Sequence, residues 1–387
     1  MLLHANPAEA PRDPLALLAG QLERGETTLE YRDGVGYLPD LLAHLDVRVD
    51  TQTLVFSKTS FQQSLITPKN PRALYFNDHV AIGDVPGGDV YELLALEPTQ
   101  GLAFYSLNIA QTDRPRLQRR GIECMFCHAL GNQGAPSLFV ASVIAGADGT
   151  PAYTGTFLAM IDHRTPFEER WGGWYVTGTH KATRHMGNAV ATDPSDLAAM
   201  VTPATVHVTS LEGRFDMSGY LSPHSDIVAL LVLEHQAQML NLITRVGWEA
   251  RAGAADAGRP LDQAAAQLVD YMLFVDEAPL PGPIAGTSSF AAGFSASGHR
   301  DSRGRSLKDL DLNRRLLKYP CSYLIYSEPF DAMPPAARAA VYARLWEVLS
   351  GRERSERYNV LSTADRQAIL EILRETKPDL PEYFVIS

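Results

Sequence analysis

The chain has 387 residues, 45% of them hydrophobic and 20% charged, with a formal net charge of −11. That is the balance of a globular protein made of one large domain or two to three smaller ones. No apolar run reaches the ~18 residues of a membrane span, the longest being Ile227–Leu233; no fixed-period repeat suggests a solenoid; and an acidic chain without a basic stripe is not a general nucleic-acid binder.

Short helices are predicted over Asp13–Leu22 and Leu38–Leu45. From Thr51 to Ile109 the pattern changes to β-branched and aromatic runs separated by Pro, Gly and Asn: Leu54–Lys58, Ala73–Phe76, His79–Ile82, Val90–Leu96 and Ala103–Asn108. These read as strands of an antiparallel sheet, with a turn at Pro86–Gly88. Gln111–Tyr220 is irregular and rich in Gly and His, with possible strands at Leu138–Ala145 and Thr205–Ser210. Basic clusters at Arg114–Arg120 and Arg300–Arg315 read as solvated surface, or else as docking sites for an acidic redox partner.

Beyond Leu221 the pattern turns helical. Ser222 as N-cap and Pro223 at the first helical position predict a helix running to about Ala250. Further helices are predicted at Leu261–Phe274, Ser306–Leu317, Pro335–Leu349 and Thr363–Thr376, with Asp276–Gly298 as a loop and Gly351 as a C-terminal cap. Strands first and helices later give an α+β fold.

Two of the three cysteines share one pentapeptide, Cys124-Met125-Phe126-Cys127-His128. C-x-x-C-H is the attachment signature of haem c. The two thiols add across the two vinyl groups of one haem edge to make thioethers, and the adjacent histidine supplies the proximal nitrogen to iron. Zinc would want a second Cys or His pair, and no second C-x-x-C exists, although loose histidines do; a thioredoxin-like dithiol would sit near a βαβ pattern, and none is apparent. The reading is therefore one covalent haem c on Cys124 and Cys127, with His128 as the proximal iron ligand.

With its C-x-x-C-H the chain resembles a group of uncharacterised bacterial cytochrome-c-like proteins. The resemblance extends over Leu54–Ser57 (LVFS), Arg170–His180 (RWGGWYVTGTH), Arg184–Asn188 (RHMGN), Pro223–Gln236 and Tyr319–Ala332 (YPCSYLIYSEPFDA). It implies an exported single-haem protein, periplasmic or otherwise exported, although the N-terminus as written lacks a signal peptide. It supplies no reaction. The organisation expected is a β-rich region (1–110), a haem-bearing segment (111–220) and a helical region packed on it (221–387).

Candidates for the sixth iron position are His180, His185, His235, Met239 and Met333, with His185 and His180 foremost because they share the motif's irregular segment. Trp171 and Trp174 could wall the haem. His224 and His235 fall on one face of one predicted helix, ~16 Å apart, too far to share a metal. Glu234 and His235 follow the apolar run and are candidates for an acid/base pair, or for a satisfied hydrogen-bond network. Met333 sits before Pro334-Pro335, which more simply starts a helix, and Cys321 reads as a small buried hydrophobe. The functions that follow are a haem-dependent oxidoreductase on a small substrate, an electron-transfer cytochrome with both axial positions filled, or a structural or gas-sensing haem protein.

Overall fold

The computed structural model describes residues 12–99, 101–128, 136–152, 159–191, 202–252 and 261–384. Two helices open the chain: α1 (Pro14–Arg24), capped by the Asp13 carboxylate on the Ala16 N–H, and α2 (Leu38–His44). Six strands follow: β1 (Thr53–Val55), β2 (Arg72–Phe76), β3 (Val80–Asp84), β4 (Val90–Glu97), β5 (Gly101–Asn108) and β6 (Leu117–Arg120). They pair antiparallel in sequence order, as expected for hairpin-connected strands. β6 was not expected, because its Gln-Arg-Arg faces solvent on a sheet edge and carries no apolar alternation.

The motif forms α3 (Ile122–His128). Short strands come next: β7 (Val140–Ser142), β8 (Ala145–Gly146), β9 (Ala159–Ile161), β10 (Trp174–Tyr175), β11 (Gly178–Thr179) and β12 (Val190–Ala191). β10 joins the main sheet beside β1 and completes seven strands, so the middle of the chain closes the edge of the N-terminal sheet. Here Trp171 and Gly173 take positive φ (68° and 78°), and a Cβ on Gly173 would lie 2.6 Å from the Ser57 side chain and 2.7 Å from the Val143 carbonyl. The Gly-Gly step thus threads backbone between two strands where no side chain fits.

The strand expected at Thr205–Ser210 is absent. Thr205 and Val206 instead belong to a single turn, α4 (Pro203–Val206), fixed by Thr205 and Val206 N–H groups donating to the Thr202 carbonyl. The long helix is α5 (Ile227–Ala252), and it begins later than Ser222-Pro223 suggested. Its cap is Asp226, whose Oδ1 accepts from the N–H of Val228 at 2.8 Å. Ser225 is drawn into the sheet, donating to the Tyr175 carbonyl and accepting from the Leu54 N–H. His224 therefore lies off the helix and shares no helical face with His235.

The remaining elements are α6 (Leu261–Met272), β13 (Ala285–Gly286), α7 (Phe290–Ala296), α8 (Glu328–Asp331), α9 (Pro335–Leu349) and α10 (Thr363–Thr376). α7 interrupts a stretch expected to be loop throughout. Conversely, Ser306–Leu317 is not helical. There the Ser306 hydroxyl accepts from Lys308 N–H, and the Asp311 carboxylate accepts from Asn313 and Arg314 N–H. These side chains offer the backbone an alternative to the helix.

Both faces of the sheet are buried. Leu54, Ala73, Tyr75, Leu93, Ala95, Ala103, Tyr105 and Leu107 point into a core with α1, α2 and 208–220. The alternate residues Val55, Phe76, Leu96, Leu102 and Phe104 point into a larger core built from α5 to α10. The fold is an α+β sandwich with the sheet as its middle layer. α5 is the described helix long and apolar enough to cross a membrane by length and composition; 83% of its apolar window is buried within the protein, so its apolarity serves the core.

Candidate functional site

α3 follows the edge strand β6 directly, on the side of the sheet that faces α5. Cys124 and Met125 pack against the larger core. Cys124 and Cys127 lie one turn apart on one face of α3. Both are free thiols; Cys124 is half-buried and Cys127 exposed. Burial, then Glu123 and Glu92, push the Cys124 thiol up to about 11. A dithiol–disulfide centre needs a thiolate, and this environment works against one at Cys124.

The His128 ring packs on Phe104 of β5 (centroids 4.7 Å apart) and on Phe139 (5.6 Å). Its Nδ1 donates to the Ser137 carbonyl at 2.7 Å. The same serine returns two bonds to the His128 carbonyl, from its N–H at 2.6 Å and its hydroxyl at 2.9 Å. Ser137 leads into Leu138, whose N–H and carbonyl are both held by the Asn241 amide on α5, at 2.7 and 2.6 Å. The imidazole is thus fixed through Ser137 to the central helix. With Nδ1 carrying the proton, Nε2 is left as an unprotonated donor, the arrangement in which a carbonyl fixes the tautomer of a metal-binding histidine. Burial holds the His128 pKa below its ordinary value, which favours the neutral ring. Two unpaired thiols on one helical turn beside an imidazole with a committed Nδ1 fit the donor set of haem c.

The other candidates lie in different surroundings. His180 and His185 are buried neighbours, ring centroids 5.2 Å apart, and the Nε2 of each is 3.1 Å from the Val206 carbonyl. His185 Nδ1 also accepts from the Gly187 N–H at 3.0 Å. Burial, then His180, pull the His185 pKa down to about 4. Trp171 stacks edge-on to His185 and to Phe167, and Trp174 Nε1 donates to the Ala141 carbonyl. Both tryptophans are core groups here.

His235 has both ring nitrogens engaged: Nδ1 with Nδ1 of His163 at 2.9 Å, Nε2 with the Ser322 hydroxyl at 2.9 Å. Both rings stack with Tyr271 and Phe274 between α5 and α6. Glu234 is ion-paired with Arg170, both fully buried. Burial outweighs Arg170 and lifts the Glu234 carboxyl to about 7. Arg170 donates further to the Thr165 and His163 carbonyls. The pair Glu234–His235 is therefore the meeting point of a buried network that ties 163–170 to α5. His163 and Arg170 were not singled out by sequence reasoning; their partners lie 72 and 64 residues away, and no local pattern marks them. Met239 is fully buried in α5, and Met333 is buried beside Trp248 and Arg251. Cys321 is buried, as expected.

Among the described residues no three His, Cys, Asp or Glu side chains converge as a metal-binding group. No family model, no curated protein and no solved structure matches the chain.

Proposed function

We propose that the protein is an exported haem-c oxidoreductase acting on a small substrate, with one haem linked to Cys124 and Cys127 and His128 Nε2 as the proximal iron ligand. The observation that carries this reading is the His128 Nδ1–Ser137 carbonyl bond beside two free thiols. When bound, haem c supplies an iron that cycles between the ferric and ferrous states. The chain's own contribution is to orient His128 through Ser137, Leu138 and Asn241, and to keep its ring neutral by burial. What favours substrate chemistry over simple electron transfer is that both ring nitrogens of His185 and His235 are spent on protein partners, as is Nε2 of His180. An open sixth position is the state in which the distal surroundings decide the chemistry.

One observation favours a second reading, an electron carrier. Arg114, Arg116, Arg119 and Arg120 are exposed beside α3 in a chain of net charge −11, a surface that suits an acidic redox partner.

The test is expression with export and cytochrome maturation. The expected product is red and keeps its haem through acid–acetone extraction, whereas Cys124→Ser/Cys127→Ser loses it. A high-spin ferrous spectrum that shifts with carbon monoxide supports the oxidoreductase. A low-spin spectrum unmoved by carbon monoxide supports the carrier, and loss of that spectrum in His180→Ala or His185→Ala would identify the sixth ligand. Colourless wild-type protein under these conditions rejects both.

A further inference from the structure

A second site lies away from the C-x-x-C-H helix. A cavity of about 100 Å³ opens between the turn Asp78–His79, the loop 297–308 and the segment 323–327. Its walls are built rather than accidental. The Asp78–His79 turn is held by Asn77, whose side-chain oxygen accepts from the N–H groups of His79 and Val80 at 2.9 Å, and whose amide donates to the carbonyls of Leu45 and Asp46. On the facing wall a Cβ on Gly298 would meet the Ser306 hydroxyl at 2.1 Å, so only glycine lets the loop lie this close. The third wall presents Tyr326, with its hydroxyl spent on Thr376 and its ring 4.8 Å from that of His299.

Lys308 lines this cavity with 9% of its surface exposed. Its ammonium donates to Asp78 at 2.6 Å and to the Ser297 hydroxyl at 3.1 Å, and sits 4.9 Å from the Tyr323 ring centre and 5.1 Å from that of Phe294. An ammonium has three donors, and these oxygens take two. Aromatic faces satisfy a cation weakly compared with an oxyanion. The rest of the lining adds donors rather than acceptors of charge: the exposed imidazoles of His79 and His299, and the Ser306 hydroxyl, against Asp78 as the only carboxylate among the described lining residues; the Ser297 hydroxyl is spent on the Phe294 carbonyl. The volume is below the ~150 Å³ that admits a benzene ring, which limits the occupant to a few heavy atoms.

We propose that this cavity binds a small oxyanion, a short carboxylate or an inorganic oxyanion, through the Lys308 ammonium, the Ser306 hydroxyl and the imidazoles of His79 and His299. The walls are fixed beforehand by bonds that do not involve the ligand, so binding costs little ordering. The proposal does not depend on haem, since none of these residues touches α3.

Calorimetric titration of the full chain with sodium acetate, nitrate and phosphate in separate arms, at constant ionic strength in chloride, tests it. The expected result is saturable one-to-one binding in at least one arm. Acetate alone identifies a carboxylate site, and nitrate or phosphate alone an inorganic one. Lys308→Met should weaken binding by about tenfold or more. His299→Gln, at an exposed position that leaves the fold intact, should weaken it severalfold, and it keeps the test open if Lys308→Met fails to fold. Absence of saturable heat in all three arms, or unchanged affinity in His299→Gln or in a folded Lys308→Met, overturns the proposal.

Discussion

Arg170 and Glu234 show how one pair of side chains can govern both packing and pH response. The guanidinium holds three separate partners, two of them backbone carbonyls, and cannot shed its charge. The carboxyl can: burial lifts it to about 7 from an ordinary 4.5. Removing the arginine therefore leaves a buried acid and two orphaned carbonyls, whereas Glu234→Gln removes a charge that burial already disfavours. We expect Arg170→Met to cost about 3–5 kcal/mol in urea unfolding, and Glu234→Gln clearly less. The pH dependence separates them further. A raised folded pKa contributes stability that is complete below the unfolded value of 4.5 and fades as pH rises through about 7. His235 runs the other way: burial lowers it from 6.5 to about 3, so its contribution is present above 6.5 and is lost as pH falls toward 3. Glu234→Gln should reduce the loss on the alkaline side, to which Asp84 and Glu277, each lifted to about 7 by burial, also contribute, and keep the loss on the acid side. Urea midpoints measured between about pH 4 and 8 check this, and an unchanged alkaline limb would count against the assignment. In the sequence Glu234 and His235 stood out because they ended an apolar run. That they form part of a network was beyond reach, because the partners His163 and Arg170 come from a segment with no periodicity of its own.

At the scale of elements, strands β1 to β5 were legible, whereas the edge strand β6, most of the short later strands and the ends of the helices were not. β1 to β5 each carry β-branched and aromatic runs bounded by turn residues, which is a local signal. The start of α5 is not local. Ser222-Pro223 has a helix-start composition, yet Ser222 Oγ accepts only from the His224 N–H, at 3.3 Å. Asp226 wins because its two carboxylate oxygens do two jobs: Oδ1 caps the helix, and Oδ2 accepts from the Thr287 and Ser288 N–H groups and the Ser288 hydroxyl at 2.7–2.9 Å. Two residues, 61 and 62 positions downstream, decide where the helix begins. Asp226→Ala should cost about 2–4 kcal/mol, a lost cap plus orphaned donors in the 287–288 turn. Ser222→Ala should change stability by no more than about 0.5 kcal/mol. Thermal or urea unfolding of the two variants distinguishes them, and equal costs would contradict the Asp226 cap. The block Arg170–His180 gains its meaning at this scale as well. Arg170 anchors to α5, Gly172 and Gly173 pass between strands, Trp174 and Tyr175 pair with β1, and Thr177 bridges to Asp226. In sequence it is one block of the resemblance; in the structure it is the joint between the sheet and the helical half.

For the molecule as a whole, the middle layer sets how the chain can be divided. Strands of β1, β2, β4 and β5 send alternate residues into two different cores, one closed by the N-terminal helices and one by α5 to α10. The sequence showed strands then helices, which gives the α+β class. The near-continuous apolar run of β5 fits burial on both faces, but periodicity alone does not tell such a strand from a buried helical segment, and the other strands carry no such run. His128 lies on the helical face, against Phe104 and, through Leu138, against Asn241 of α5. A fragment ending near Tyr220 would keep the first core and strip the second. It would expose Val55, Phe76, Leu96, Leu102 and Phe104 together, at about 25 cal/mol per Å² of apolar surface, and would lose the anchor of Leu138 and the partner of Arg170. We therefore expect limited proteolysis of the native protein to release no stable fragment ending near 220, and a chain truncated there to be insoluble or to bind a hydrophobic dye. A soluble, cooperatively unfolding 1–220 fragment would show instead that the sheet and its N-terminal helices stand alone, with the helical half only docked on them.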